Sequence, residues 1–213
     1  MLLNVFMMSL ALTPAPDQAG EAVRPGLFDL APVEAQDGLR AADRHILVVR
    51  HAHKIAPDCN GMACPLSPQG EAMVLQLSGL IGTPVVDRAY SSAACRTYLT
   101  AAAGGTDVVV HQAVDGYEAG CEPDAVIART RADAFAETRA ASAGWTLVAE
   151  HSNTSCLWIA EFAGDAAATR AGCSEGRLPE TAYGDIYWLY STDDDGQDWS
   201  LTVLPGAFDV PAP

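Results

Sequence analysis

The chain has 213 residues, room for one α/β domain with a buried core and not for two of ordinary size. With 49% apolar and 18% charged residues it is globular, which excludes a disordered or fibrous protein. A net charge of −15, from 12 Lys plus Arg against 27 Asp plus Glu, repels nucleic acid and anionic membrane and argues against both as partners.

Met1 to Leu12 is an apolar run with a small-residue exit, the shape of a secretory h-region and short for a membrane span. It lacks the usual Lys or Arg, so an N-terminal helix packed on the domain is the alternative. Residues 1–19 are read as a signal peptide, cleaved after Ala15 or Ala19, and the mature protein as secreted or periplasmic. Six cysteines, at 59, 64, 95, 121, 156 and 173, agree with an oxidising compartment.

Residues 20–44 mix Pro, Ala, Gly and charge without periodicity and read as a linker or loosely docked arm, ahead of one domain over 45–213. Ile46 to Val49 is a short, continuously apolar run, the pattern of a strand covered on both faces. Ser67-Pro68 can cap a helix whose apolar positions, Met73, Leu77, Leu80 and Ile81, recur at helical spacing up to Gly82. A second strand follows over Val85 to Tyr90, a helix over Cys95 to Ala103, and a third strand over Val108 to Val110. Pro123 can open a third helix carrying Val126, Ile127, Thr130, Ala134 and Phe135. Trp145 to Ala149 is a fourth strand, Ser155 to Phe162 a helix, and 165 to 183 irregular. Ile186 to Tyr190 and Trp199 to Leu204 form a hairpin across the Asp193 to Gly196 turn. The alternation implies a three-layer α/β sandwich, a mostly parallel sheet with helices on both faces.

Ligand sites in such sheets gather at the carboxyl ends of the strands. The first strand runs into Arg50-His51-Ala52-His53-Lys54, the fourth into Glu150-His151-Ser152-Asn153-Thr154, and Arg96 follows the second. Two histidines and two arginines at strand exits suggest phosphoryl transfer. Guanidinium forks match phosphate oxygens, and a neutral imidazole is a competent nucleophile.

The ordered set VVRHAHK (48–54), PLSPQGEA (65–72), AYSSAACRTYLTAA (89–102), VAEHSNT (148–154) and YGDIYWLY (183–190) resembles the histidine phosphatase superfamily over most of residues 45 to 190. Its RHA-x-K form is similar to a subgroup that includes exported small phosphatases. The resemblance implies that His51 is the nucleophile that becomes phosphohistidine. Arg50 and Arg96 would bind the phosphate, and His151 would contact the phosphoryl oxygens. It also implies a carboxylic acid between the third strand and the next helix, where the pattern favours Glu118 and leaves Asp115 as second choice. No cofactor or metal is called for, and the substrate would be a small phosphorylated molecule. Ser152 and Asn153 could donate to phosphate or cap the next helix, and Lys54 reads as a rim cation. The sequence departs from the family pattern at His53, where Glu is usual, at Glu150, where Gly is usual, and at Tyr98-Leu99. Glu150 beside the pocket would raise the pKa of His151 or disfavour a polyanionic substrate.

The implied activity is that of a metal-independent phosphomonoesterase. A non-catalytic phospho-ligand binder on the same fold is the alternative, and a phosphomutase a further one, poorly supplied with spare cations. A zinc site from His51, His53, Cys59 and Cys64 would consume the nucleophile. Structural disulfides are the preferred reading, with Cys156 and Cys173 a plausible pair and Cys59, Cys64, Cys95 and Cys121 open to several. The Asp193 to Asp195 run reads as a polar hairpin tip rather than a calcium site.

Overall fold

The computed structural model describes residues 26–82, 86–111, 129–193 and 195–211. The apolar run at Ile46 lies in β1 (Arg44–Arg50), which is buried along its whole length. Its side chains alternate between two cores. Leu47 and Val49 join one, Ile46 and Val48 the other. A strand covered on both faces needs helices on both, and the chain supplies them.

The sheet runs β3 (Val108–His111), β2 (Val86–Ser92), β4 (Gly144–Glu150), β1, β5 (Ile186–Ser191), β6 (Ser200–Leu204). The first four are mutually parallel, and β5 and β6 close the sheet antiparallel, as the expected hairpin. Over the Leu47 face pack α1 (Leu27–Leu30), α2 (Val33–Ala41), α3 (Pro68–Leu80) and α4 (Cys95–Ala101). Over the other face lie α5 (Arg131–Ala140), α6 (Ser152–Ala163) and α7 (Asp165–Arg170). This is the expected three-layer α/β sandwich.

Several local expectations change. The stretch read as a linker or loosely docked arm carries α1 and α2, with Leu27 and Leu39 buried and Phe28 edge-on to Trp188 at 5.1 Å. It is docked, by a few apolar positions too sparse to show a period. Thr130, expected inside a helix, is the N-cap of α5: its hydroxyl accepts from Asp133 N (3.1 Å), and Asp133 Oδ2 accepts from Thr130 N (3.0 Å). Helix α6 begins three residues before Ser155, because Thr154 Oγ1 accepts from the His151 amide (3.1 Å) and caps the turn. Part of the segment expected to be irregular is α7, six residues long. The proposed start at Pro123 and the signal peptide lie outside the described residues.

Ser67 caps α3 as its sequence position suggests, accepting from Gly70 N at 3.0 Å. Cys156 and Cys173 form a disulfide, as do Cys59 and Cys64, and Cys95 is also disulfide-bonded. At the hairpin tip, Asp193 Oδ2 accepts from the amides of Gln197 (2.8 Å) and Asp198 (3.4 Å), which is the polar-turn reading. Among the described residues, no helix is long and apolar enough to cross a membrane.

Candidate active site

The parallel strands β1 and β4 are in register from Arg44 opposite Gly144 to Arg50 opposite Glu150. Their exits therefore open side by side. The His51 amide donates to Glu150 O (2.8 Å), which extends the ladder one residue and sets His51 next to His151, ring centroids 5.3 Å apart. On the other side, Ala52 N donates to Thr100 Oγ1 (3.0 Å), whose hydroxyl donates to Arg96 O (2.7 Å). Those two bonds tie the exit of β1 to the first turn of α4, and so to Arg96.

The result is one cavity of about 720 Å³. Arg50, His51, Arg96 and His151 all line it, with Lys54 and Ser152 at its edge. Four residues spread over a hundred positions of sequence are thus brought together as expected. Asn153 is not among the lining side chains and is exposed, since it sits on the outward side of the α6 N-terminal turn. Glu118 and Asp115 lie outside the described residues.

His51 is buried, and its Nδ1–H donates to Ala52 O (2.8 Å). That bond fixes the neutral tautomer with the lone pair on Nε2. Burial lowers its pKa to about 3, with His151, Arg96 and Arg50 adding to the fall and the Ala52 hydrogen bond opposing it. His151 is lowered to about 4, first by burial and then by Arg96; the Glu150 charge opposes this but does not prevail. Both imidazoles are therefore neutral at pH 7 in the free pocket.

Glu150 raises the pKa of His151, as expected, but burial and Arg96 outweigh it, and its carboxylate does not face the cavity. Its carboxylate turns into the core, where Oε2 accepts from Thr154 Oγ1 (2.6 Å) and Oε1 from Trp158 Nε1 (3.0 Å). His111 Nε2 lies 2.8 Å and Arg131 Nε 3.8 Å from Oε1. Burial would raise its pKa, but these donors and charges outweigh it and hold the carboxyl below its ordinary value. This anchors the β4–α6 corner that carries His151.

Both terminal nitrogens of Arg50 are held. Nη1 donates to Pro179 O (3.2 Å) and Glu180 O (3.4 Å), Nη2 to Glu180 Oε2 (2.9 Å) and Tyr183 Oη (3.1 Å). The guanidinium also lies over the Tyr183 ring, 3.9 Å from its centroid. His53 stacks on the same ring at 4.0 Å, its Nε2 4.0 Å from Asp209 Oδ1. Glu180, Tyr183, Asn60 and Pro57 line the cavity and were given no role from sequence. Tyr183 belongs to the YGDIYWLY segment, which was the one available signal. The loop of Asn60 and Gly61 is closed by the Cys59–Cys64 disulfide. Its Gly61 O accepts from Arg96 Nη1 (2.9 Å), and its Asn60 Oδ1 from Lys54 Nζ (2.6 Å). With the two sulfurs joined to each other, the zinc reading loses its thiolates.

No protein-family model matches the sequence, and no curated protein matches it. Solved structures share its fold. A candidate alpha-ribazole-5'-P phosphatase from Escherichia coli superposes with a TM-score of 0.51 at 18% identity, over 76% of this chain and 96% of that one. Mycobacterial glucosyl-3-phosphoglycerate phosphatase in complex with inorganic phosphate gives 0.50 at 16% identity, over 79% and 100%. The chain therefore shares the fold of these two phosphatases. On this shared fold, Arg50 closes β1 and His51 follows it at the carboxyl edge of the sheet, where open α/β sheets take their ligands.

Proposed function

We propose that this protein is a metal-independent phosphomonoesterase that forms a phosphohistidine on His51. The observation that carries the reading is the His51 ring: Nδ1–H is committed to Ala52 O, leaving Nε2 as the basic nitrogen in a cavity shared with Arg50, Arg96 and His151. Nε2 attacks phosphorus, the ester P–O bond breaks, and the leaving oxygen takes a proton from a carboxylic acid, for which Glu118 is the first candidate and Asp115 the second. Water then cleaves the P–N bond and releases orthophosphate. The transition state spreads charge over the equatorial oxygens, and the two guanidinium groups supply fixed positive charge there. A dianionic phosphate beside His151 favours its protonation, so this neutral imidazole takes up a proton as substrate binds and then donates to a phosphoryl oxygen. The amides at the start of α6 add donors at the positive end of a twelve-residue helix.

The substrate class is small phosphomonoesters, and the compartment is extracytoplasmic, a placement supported by the two disulfides and the bonded Cys95. Rapid quench with a ³²P-labelled aryl phosphate tests the mechanism. Wild type is expected to give an acid-labile, base-stable phosphoprotein and to keep turning over in excess EDTA. His51→Ala is expected to show neither phosphoprotein nor turnover above background; undiminished turnover in that variant overturns the proposal. Glu118→Gln is expected to lose about 10²–10⁴-fold on an alkyl phosphate and much less on an aryl phosphate, whose leaving group needs no proton.

A further inference from the structure

The donors of Arg50 are nearly all spoken for. Nη1 is committed to two main-chain carbonyls and Nη2 to Glu180 Oε2 and Tyr183 Oη, while Nε is buried with no protein partner. Nε and Nη2 form one edge of the guanidinium, the edge that grips two oxygens of a phosphate side-on. Half of that edge lacks a protein partner and the other half is covered by a carboxylate. From this geometry we infer that Glu180 is a displaceable anionic cap on the phosphate fork of Arg50. The inference rests on Arg50 being a phosphate ligand in the proposed reaction.

The two partners differ in freedom. The Arg50 side chain is 6% exposed and fixed by the Tyr183 ring, whereas the Glu180 side chain is 82% exposed. The backbone around Glu180 is anchored independently: Leu178 N donates to Ser152 O (2.9 Å) and Ala182 N to Pro179 O (3.1 Å). The carboxylate can therefore swing out while its main chain stays in place. Arg50 holds the Glu180 pKa below the ordinary carboxylate value, so the cap is charged at neutral pH.

Such a cap sets a threshold for entry. A phosphomonoester dianion brings more charge to the fork than the carboxylate it displaces. A phosphodiester or a carboxylate brings only as much, and gains nothing by the exchange. When the ester is gone, the returning carboxylate competes with orthophosphate and hastens its release. Glu180 is on this account a specificity-determining residue that selects dianions.

The test is calorimetric titration of the full chain with orthophosphate, paired with kcat and KM on an aryl phosphate. Glu180→Gln keeps the shape and removes the charge. It is expected to bind orthophosphate about three- to tenfold tighter and to lower KM by a similar factor, without raising kcat. Asp58→Asn removes an exposed charge near Lys54 that makes no contact with Arg50, and a markedly smaller change is expected there. Unchanged affinity in Glu180→Gln, or an equal gain in Asp58→Asn, overturns the cap and leaves the phosphatase reading intact. If neither wild type nor Glu180→Gln binds orthophosphate, the reading of Arg50 as a phosphate ligand falls and the cap falls with it.

Discussion

An imidazole buried between two guanidinium groups and a second imidazole resists protonation, and His51 is held near a pKa of about 3 for that reason. The sign matters for activity. With its pKa depressed, the His51 imidazole stays neutral through the whole range above about pH 4 and loses its lone pair only below it. An ordinary histidine would have about thirtyfold less of its neutral form at pH 5 than at pH 8. After correction for ionisation of the substrate, kcat/KM on an aryl phosphate is expected to change by less than about twofold between pH 7 and pH 5 on account of His51; a tenfold fall assigned to it would contradict its burial. The meeting of Arg50, His51, Arg96 and His151 in one cavity was legible in the sequence because each lies at or shortly beyond the carboxyl end of a strand, and strand exits can be read from local pattern. Glu180 and Tyr183 were not, because they meet Arg50 across 130 and 133 residues of chain. Asn153 lies exposed beside the cavity lining, and its position within a helical turn does not reveal in sequence which side of the turn faces the cavity.

At the level of elements, α3 is the clamp on the loop that follows β1. Its N-terminal turn sits on the backbone just after His51: Ser67 N donates to His53 O (2.9 Å), and a Cβ on Gly70 would stand 2.1 Å from that same oxygen. Gly70→Ala must push helix and loop apart. It is expected to cost roughly 1–3 kcal/mol, read as a lower urea midpoint, together with a fall in kcat/KM as the Arg50–His53 segment shifts. Retention of both values would show that the loop gives way without consequence. The strands and α3 were readable because runs such as Ile46–Val49 and the Met73–Leu77–Leu80 spacing are unbroken. Helices α1 and α7 were not, since four and six residues span too little of a helical period to register.

Acid resistance is a property of the whole molecule, and four histidines with depressed pKa, His45, His51, His53 and His151, bear on it. His45, remote from the cavity, is neutral by construction: Nε2–H donates to Ala42 O (3.0 Å), and Nδ1 accepts from Trp188 Nε1 (3.1 Å). Burial lowers its pKa to about 4. The unfolded chain takes up this proton near pH 6.5 and the folded one does not. Stability from this residue is therefore whole above pH 6.5 and lost as pH falls toward 4. His45→Gln is expected to flatten the pH dependence of unfolding in that window by at most about 1.4 kcal/mol per pH unit, measured as urea unfolding from pH 7 to pH 4. An unaltered slope would mean that His45 is protonated in the fold. The sandwich itself was legible from alternating strands and helices, but the site's contribution to acid lability was not, since burial is a property of the assembled layers.

The order of strands also governs when the His51 pocket takes shape during synthesis. Strand β1 lies between β4, about a hundred residues later in the chain, and β5, later still by some forty. A nascent chain that has emerged only as far as β3 carries His51 on a strand with neither neighbour, and no shorter stretch than residues 44–191 holds all three. Contacts so distant in sequence make folding slow. The pocket of His51 and His151 is thus among the last parts of the molecule to be assembled, once most of the chain has left the ribosome.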